Sequence, residues 1–248
     1  MKVLMIILTL LVATCTTVGT QQVTTPVKGL EIPAYNASED IVVHLGYTAS
    51  YNHTTLLPNW VAWELTAEEA SGTYDQGRQF SRDPDVDFPK ASREDYSNSG
   101  WDKGHMAPHA DMKWSRQAMT ESDYFTNICP QDKAMNAGAW RKIEEMTRRT
   151  AKRCGAVYVV CGPIFDSEEQ RHIGPACVQV PDRFFKALAV NTSGGYRTVA
   201  FLVSNDRQDG SPRSYAVTVD SVESVIGRDL FPLLPEEVES TFDWNDWK

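Results

Sequence analysis

Apolar residues along this chain fall into short runs separated by polar stretches rich in Gly, Asp, Ser and Pro. Residues 41–45 and 60–65 read as short strands, with residues 47–58 as a polar connection between them. Residues 71–100 have no periodicity and read as a long surface loop, a feature that compact domains tend to keep for function. Residues 115–124 read as a short helix and residues 132–153 as a long one. In the long helix Trp140, Ile143, Met146 and Ala151 recur at helical spacing, and the basic far end suits the negative pole of the helix dipole. Residues 156–161, 177–180, 184–190 and 198–203 then read as strands, and residues 222–226 begin a further helix before an acidic tail. There is no repeat and no break in composition. The pattern predicts α+β architecture in a single domain, a central antiparallel β-sheet flanked by helices.

Composition sharpens this reading only at the margins. The chain has 248 residues, 42% apolar and 23% charged, with 7 Trp, 9 Tyr and 9 Phe, which is ample bulk for a core and excludes general disorder. The formal charge of −9 argues against a protein that coats nucleic acid by bulk charge. That charge is segregated. Residues 220–248 hold eight acids and two bases, whereas the predicted long helix holds Arg141, Lys142, Arg148, Arg149, Lys152 and Arg153 against Glu144 and Glu145. One helix is therefore locally suited to an anion.

The amino terminus reads as an address. Lys2 precedes an apolar run over residues 3–13, followed by small and polar residues, which is the form of a signal peptide ending near Gly19 or Thr20. The run is too short to span a bilayer, which takes roughly 20 residues. An exported protein, periplasmic or extracellular, is expected, with a lipid anchor at Cys15 as the alternative. The chain then divides into a signal peptide (1–20), a linker or arm (21–40) and one folded domain (41–248). The remaining Cys129, Cys154, Cys161 and Cys177 allow two disulfides or four thiols.

Chemistry concentrates in two places. The first is the run Trp101-Asp102-Lys103-Gly104-His105-Met106-Ala107-Pro108-His109-Ala110-Asp111-Met112. His105 and His109 are four apart, as in a zinc helix, but Pro108 opposes a regular helix there, and Met106 stands where a zinc peptidase has Glu. A turn with a hydrogen-bonded core histidine is the plainer account. The second place is the series Asn136, Trp140, Glu144 and Arg148, also four apart and so on one helical face. It reads either as a core stripe with an i,i+4 ion pair, or as an amide oxygen, a carboxylate and a guanidinium arranged for a hard cation and a phosphate.

The run Asp102-Lys103-Gly104-His105 resembles the Asp-Arg-Gly-His signature of the DNA/RNA non-specific endonucleases, the ββα-metal or His-Me finger group. The likeness continues through Thr126-Asn127-Ile128-Cys129-Pro130-Gln131, Asn136-Ala137-Gly138-Ala139-Trp140-Arg141-Lys142-Ile143-Glu144, Val157–Pro163, Val180–Lys186 and Ile226–Pro232, most of the mature chain. It implies a ββα-metal site and an enzyme, a Mg²⁺-dependent hydrolase of DNA and RNA phosphodiesters; Mn²⁺ or another divalent cation is the alternative metal. By the same resemblance His105 is the general base, Asn136 the direct metal ligand and Glu144 the holder of a metal-bound water. Asn127 is an active-site amide, Arg148 and Arg78 contact phosphate with Arg82 as a rival to Arg78, and Lys103 and Arg149 bind substrate. Lys103 departs from the family's Arg, keeping the charge but losing the planar fork. Asp102 is expected to hold the turn, and His109 to be structural. A homodimer is a further partner state the reading admits; a membrane span is not. A non-catalytic nucleic-acid-binding module on the same fold is the competing class, and intact His105, Asn136 and Glu144 favour the enzyme.

Overall fold

The computed structural model describes residues 28–247. Among these residues the strands are β1 (Asp40–Val43), β2 (Thr48–Asn52), β3 (Leu57–Thr66), β4 (Asp102–His105), β5 (Ile128–Gln131), β6 (Ala156–Ile164), β7 (His172–Ile173), β8 (Val178–Gln179), β9 (Arg183–Thr192), β10 (Gly195–Ser204) and β11 (Ala216–Val217). The helices are α1 (Arg93–Tyr96), α2 (Arg116–Ser122), α3 (Lys133–Met135), α4 (Arg141–Cys154), α5 (Val219–Ile226) and α6 (Glu236–Glu239). Seven strands form one sheet in the order β1-β2-β3-β6-β9-β10-β11, each pair antiparallel. The sheet is thus a meander in chain order, the expected architecture. β4 and β5 pair separately, as do β7 and β8.

Alternation along the central strands builds a core on each face. Val157, Val159 and Cys161 of β6, with Phe184, Leu188 and Val190 of β9, pack towards α4 through Trp140, Ile143, Met146 and Ala151. Tyr158, Val160, Phe185, Ala187 and Ala189 turn the other way, onto α5 and onto Leu30, Leu230 and Phe231. Residues 28–40 are therefore not a loose arm, since Leu30 is wholly buried against the sheet. The residues before 28, with the predicted signal peptide and Cys15, lie outside the described residues.

Three further expectations are corrected. The polar connection over 47–58 contains β2, because Ser50 can enter the sheet by donating its hydroxyl to Glu39 Oε2 at 2.7 Å. The loop over 71–100 holds α1, capped reciprocally by Ser92 and Asp95, with Ala91 and Tyr96 in the core. The long helix is one body in three parts, α3, a π-helical turn over Asn136–Trp140, and α4. The four cysteines are unbridged thiols, and burial pushes those of Cys129 and Cys161 up, the latter to about 12. Among the described residues no helix is long and apolar enough to cross a membrane.

Candidate active site

β4 delivers the signature. Its register sets Gly104 opposite Cys129 and His105 opposite Ile128 on β5. Gly104 is required there, since a Cβ would fall 2.0 Å from the side chain of the buried Gln131. His105 ends the strand with its ring packed beside Phe80 and 7% exposed. Its Nε2 lies 2.9 Å from Asp123 Oδ1, and its carbonyl accepts the Trp140 indole N–H at 3.2 Å. Burial alone would raise the Asp123 carboxyl. Hydrogen bonds from His105, His109 and the Gln79 amide overcome this and hold it well below the usual carboxylate range. With an ionised partner, His105 Nε2 carries the proton and Nδ1 keeps its lone pair. Burial pulls the His105 pKa below the ordinary histidine value, with Asp123 opposing.

Asn127 is fully buried, and both ends of its amide are taken. Its Oδ1 accepts from the Ala107 amide at 2.8 Å, and its Nδ2 donates to the carbonyls of Ala107 and Ser122, each at 2.8 Å. Asn127 thus lies beside His105, as expected, with its amide bonded to main-chain groups. It clasps the chain just after His105, because a buried amide must satisfy every polar atom.

Across the cleft the π-helical turn begins at Asn136. Asp102 Oδ2 accepts from Asn136 Nδ2 at 3.1 Å, so Asp102 orients an amide as well as closing a turn. Two turns on, the Glu144 carboxyl is pushed up to about 7, chiefly by burial and further by Asp111, against Lys186, Arg148 and Arg78. Among the described residues Glu144 and the Asn136 oxygen have no hydrogen-bond partner. Arg78, Lys103, His105, Pro108, His109, Ala110, Asn136 and Glu144 line one polar cleft of about 70 Å³. A larger cavity of about 470 Å³ opens elsewhere, on Glu64, Tyr158 and Asn191, without a histidine.

The remaining sequence candidates separate. Arg78 lines the cleft, whereas Arg82 lies over the Phe88 ring at 5.7 Å. Lys103 lies over Phe80 and Tyr96, at 5.6 and 5.8 Å. Arg148 is tied at 2.7 Å to the buried Asp111, and Arg149 is exposed on α4 away from the cleft lining. His109 stands 3.2 Å from Asp123 Oδ1 and lines the cleft.

Two donor sets at or beside this cleft are candidates for a metal. His105, His109 and Asp123 offer atoms within 4.8 Å of one another. Those atoms already bond to each other, and a cation among them would displace the proton that fixes the His105 tautomer. Asn136 and Glu144 instead present oxygens with no proton donor upon them, one a carboxyl whose ionisation burial disfavours. A hard, hydrated dication fits that pair and would restore the carboxylate.

Sequence reasoning passed over Asp123, Asp111 and Lys186. For Lys186 a signal exists, a lysine in the middle of the apolar strand run Phe184–Val190. Asp123 carries none, lying 18 residues from His105 beyond an intervening helix.

A central antiparallel meander carrying a β-hairpin, a helix and a histidine between them defines a ββα-metal nuclease scaffold. The chain belongs to the DNA/RNA non-specific endonuclease family, whose pattern it matches over residues 28–237. It is 32% identical to the mitochondrial nuclease EXOG of Xenopus laevis, over 78% of this chain and 59% of that protein. With the mitochondrial endonuclease G of Homo sapiens the identity is 30%, over 73% and 66%. With the mitochondrial nuclease of Saccharomyces cerevisiae it is 30%, over 76% and 64%. The chain thus spans about three-fifths of the length of these relatives. A crystal structure of the EndoG/EndoGI complex, on the mechanism of EndoG inhibition, has the same fold, with a TM-score of 0.75 at 26% identity, covering 82% of this chain and 89% of that one. These relatives correct the expectation of a periplasmic, extracellular or lipid-anchored protein, since they are mitochondrial nucleases by name. A cation before a short apolar run is read by a receptor, and its physics alone does not fix the compartment.

Proposed function

We propose that this chain is a divalent-metal-dependent endonuclease that hydrolyses DNA and RNA phosphodiesters with low sequence specificity, with Mg²⁺ as its ion. The observation that carries the reading is the His105–Asp123 pair facing the unpartnered oxygens of Asn136 and Glu144 across one small cleft. His105 Nδ1 takes the proton from the attacking water, while Asp123 holds the ring and stabilises the imidazolium that forms. Asn136 would hold the cation directly and Glu144 through a water. When bound, that cation offsets charge in the transition state and on the leaving oxygen. Arg78 and Lys103 neutralise phosphate at the mouth. Contacts to the phosphate backbone carry no sequence, which supports low specificity, and a phosphodiester is common to DNA and RNA.

The test separates the proton from the metal. His105→Ala leaves the oxygens of Asn136 and Glu144 in place, so duplex binding survives while cleavage falls by ~10²–10⁴-fold, and added Mg²⁺ does not restore it. Asn136→Ala removes the one direct protein oxygen, so its defect accompanies a raised Mg²⁺ requirement and is partly rescued at high Mg²⁺. A Mg²⁺ titration of plasmid and RNA cleavage for both variants decides. Rescue of His105→Ala by metal would return the His105–His109–Asp123 group to candidacy as the metal site.

A further inference from the structure

Lys186 is the least expected side chain in the sheet. Alternation on β9 points it to the same face as Phe184 and Leu188, where an apolar residue belongs, and it is only 1% exposed. Its Nζ lies 4.9 Å from the Trp63 ring centre and 4.5 Å from that of Trp140. It donates to the carbonyl of Met106 at 3.3 Å, one residue beyond His105. The charges around it belong to the cleft's rear wall. The buried Asp111 binds Arg148 through Oδ1, and Asp111 and Glu144 both feel Lys186. A cation held dry strongly disfavours folding unless its surroundings compensate, and here two indole faces, a carbonyl and a buried carboxylate do so.

Three of these contacts converge on one short stretch. Trp140, which flanks Lys186, donates its indole N–H to the His105 carbonyl. Lys186 takes the next carbonyl, and Asn127 clasps both polar groups of Ala107. The backbone of residues 105–107 is therefore fixed from the helix, from the sheet and from the hairpin side. We propose that Lys186 is a positioning residue of the reaction, an ion sandwiched between Trp63 and Trp140 that sets the main chain carrying His105. It is too deep to touch a nucleic acid. This rests on the nuclease reading above for its kinetic arm only.

The experiment compares the wild-type protein with Lys186→Met, which keeps length and packing, and with Lys186→Gln, which can still donate but carries no charge. In each, kcat and KM on duplex DNA are measured per folded molecule, with hydrogen exchange of the Met106 and Ala107 amides alongside. These amides bond to Asn127, at 2.9 Å to its carbonyl and 2.8 Å to its side chain respectively. Lys186→Met is expected to lose ~10²-fold in kcat, the scale of a small misplacement of a reacting group, with KM changed by no more than a few-fold. Lys186→Gln falls between. The two amides should exchange ~10-fold faster while the β1–β2 ladder keeps its rates, a local opening rather than global loss of stability. Unchanged kcat, or exchange that rises equally everywhere, overturns the proposal. A wild-type protein that cuts neither DNA nor RNA removes the nuclease reading instead, and the exchange arm still decides what Lys186 positions. If Lys186→Met does not fold, Lys186→Gln carries both measurements.

Discussion

A base that works at neutral pH must be free of its proton there, and burial shifts His105, the proposed base, in that direction. Because its pKa is depressed, the neutral ring persists below the ordinary histidine value of about 6.5. The acid limb of kcat/KM is therefore expected below that value, with activity falling only as pH drops through the lowered pKa. Asp123→Asn tests the partner. Losing the anion removes what raises the His105 pKa, so the acid limb moves lower still. An amide can also offer N–H to Nε2, placing the proton on Nδ1, so the plateau should fall by ~10²–10⁴-fold. A pH–rate profile of both proteins reads the two effects separately. At this scale the sequence is uneven. The Gly-His turn and the spacing of Asn136 and Glu144 are legible because they are local, whereas the acid that orients His105 comes from beyond α2, and only folding brings it near.

The elements make sense of the helix that carries Asn136. A straight α-helix was the natural expectation from the periodicity of residues 132–153, and the π-helical turn is invisible to it because it changes the winding without changing residue types. That turn has a partner. The Ala139 amide donates to the Gln208 carbonyl at 3.2 Å, and Lys142 donates to the Asp209 carbonyl at 2.8 Å. Gly138 permits the approach, since a Cβ there would lie 2.5 Å from the Gln208 oxygen. Gly138→Ala should therefore destabilise the fold by ~1–3 kcal/mol, read as a lower denaturation midpoint in urea. It should also lower the apparent Mg²⁺ affinity, because Asn136 starts the same turn. β2 teaches the complementary lesson. Its polar residues hid a strand because Glu39, eleven residues from Ser50, supplies the acceptor. Central strands such as β6 and β10 needed no such partner and stand out in the sequence.

For the whole molecule, charge is distributed against the proposed substrate. The formal charge is −9, and the acids of residues 220–248 contribute most of it. On the proposed function, attraction to a phosphate backbone would rest on a few cations, Arg78 and Lys103 at the cleft and Arg149 on the exposed side of α4. Such contacts are screened within about 8 Å at physiological ionic strength and lose counterion release as salt rises. KM for duplex DNA is expected to climb steeply between low and moderate salt while kcat, set inside the cleft, changes little. A KM that stays flat over that range contradicts this. The fold class is the most legible feature at this scale, because alternation in the strands and one strong amphipathic helix survive without long-range information.

The meander has one long excursion. β3 and β6 are direct neighbours, paired from Val61–Cys161 to Thr66–Ala156, yet everything that lines the cleft lies in the chain between them. Closing that loop sacrifices the freedom of a long segment before a single β3–β6 bond forms, and such closures set the pace of folding. The sheet's central seam is therefore also the latch of the site. What the seam adds to the contacts within the excursion is the sheet face beneath them, where Lys186 of β9 meets the Met106 carbonyl and the Trp140 ring. On the proposed function, full activity is expected only once this seam has shut, and recovery of cleavage during refolding, followed beside protection of the β3–β6 amides, reads that order.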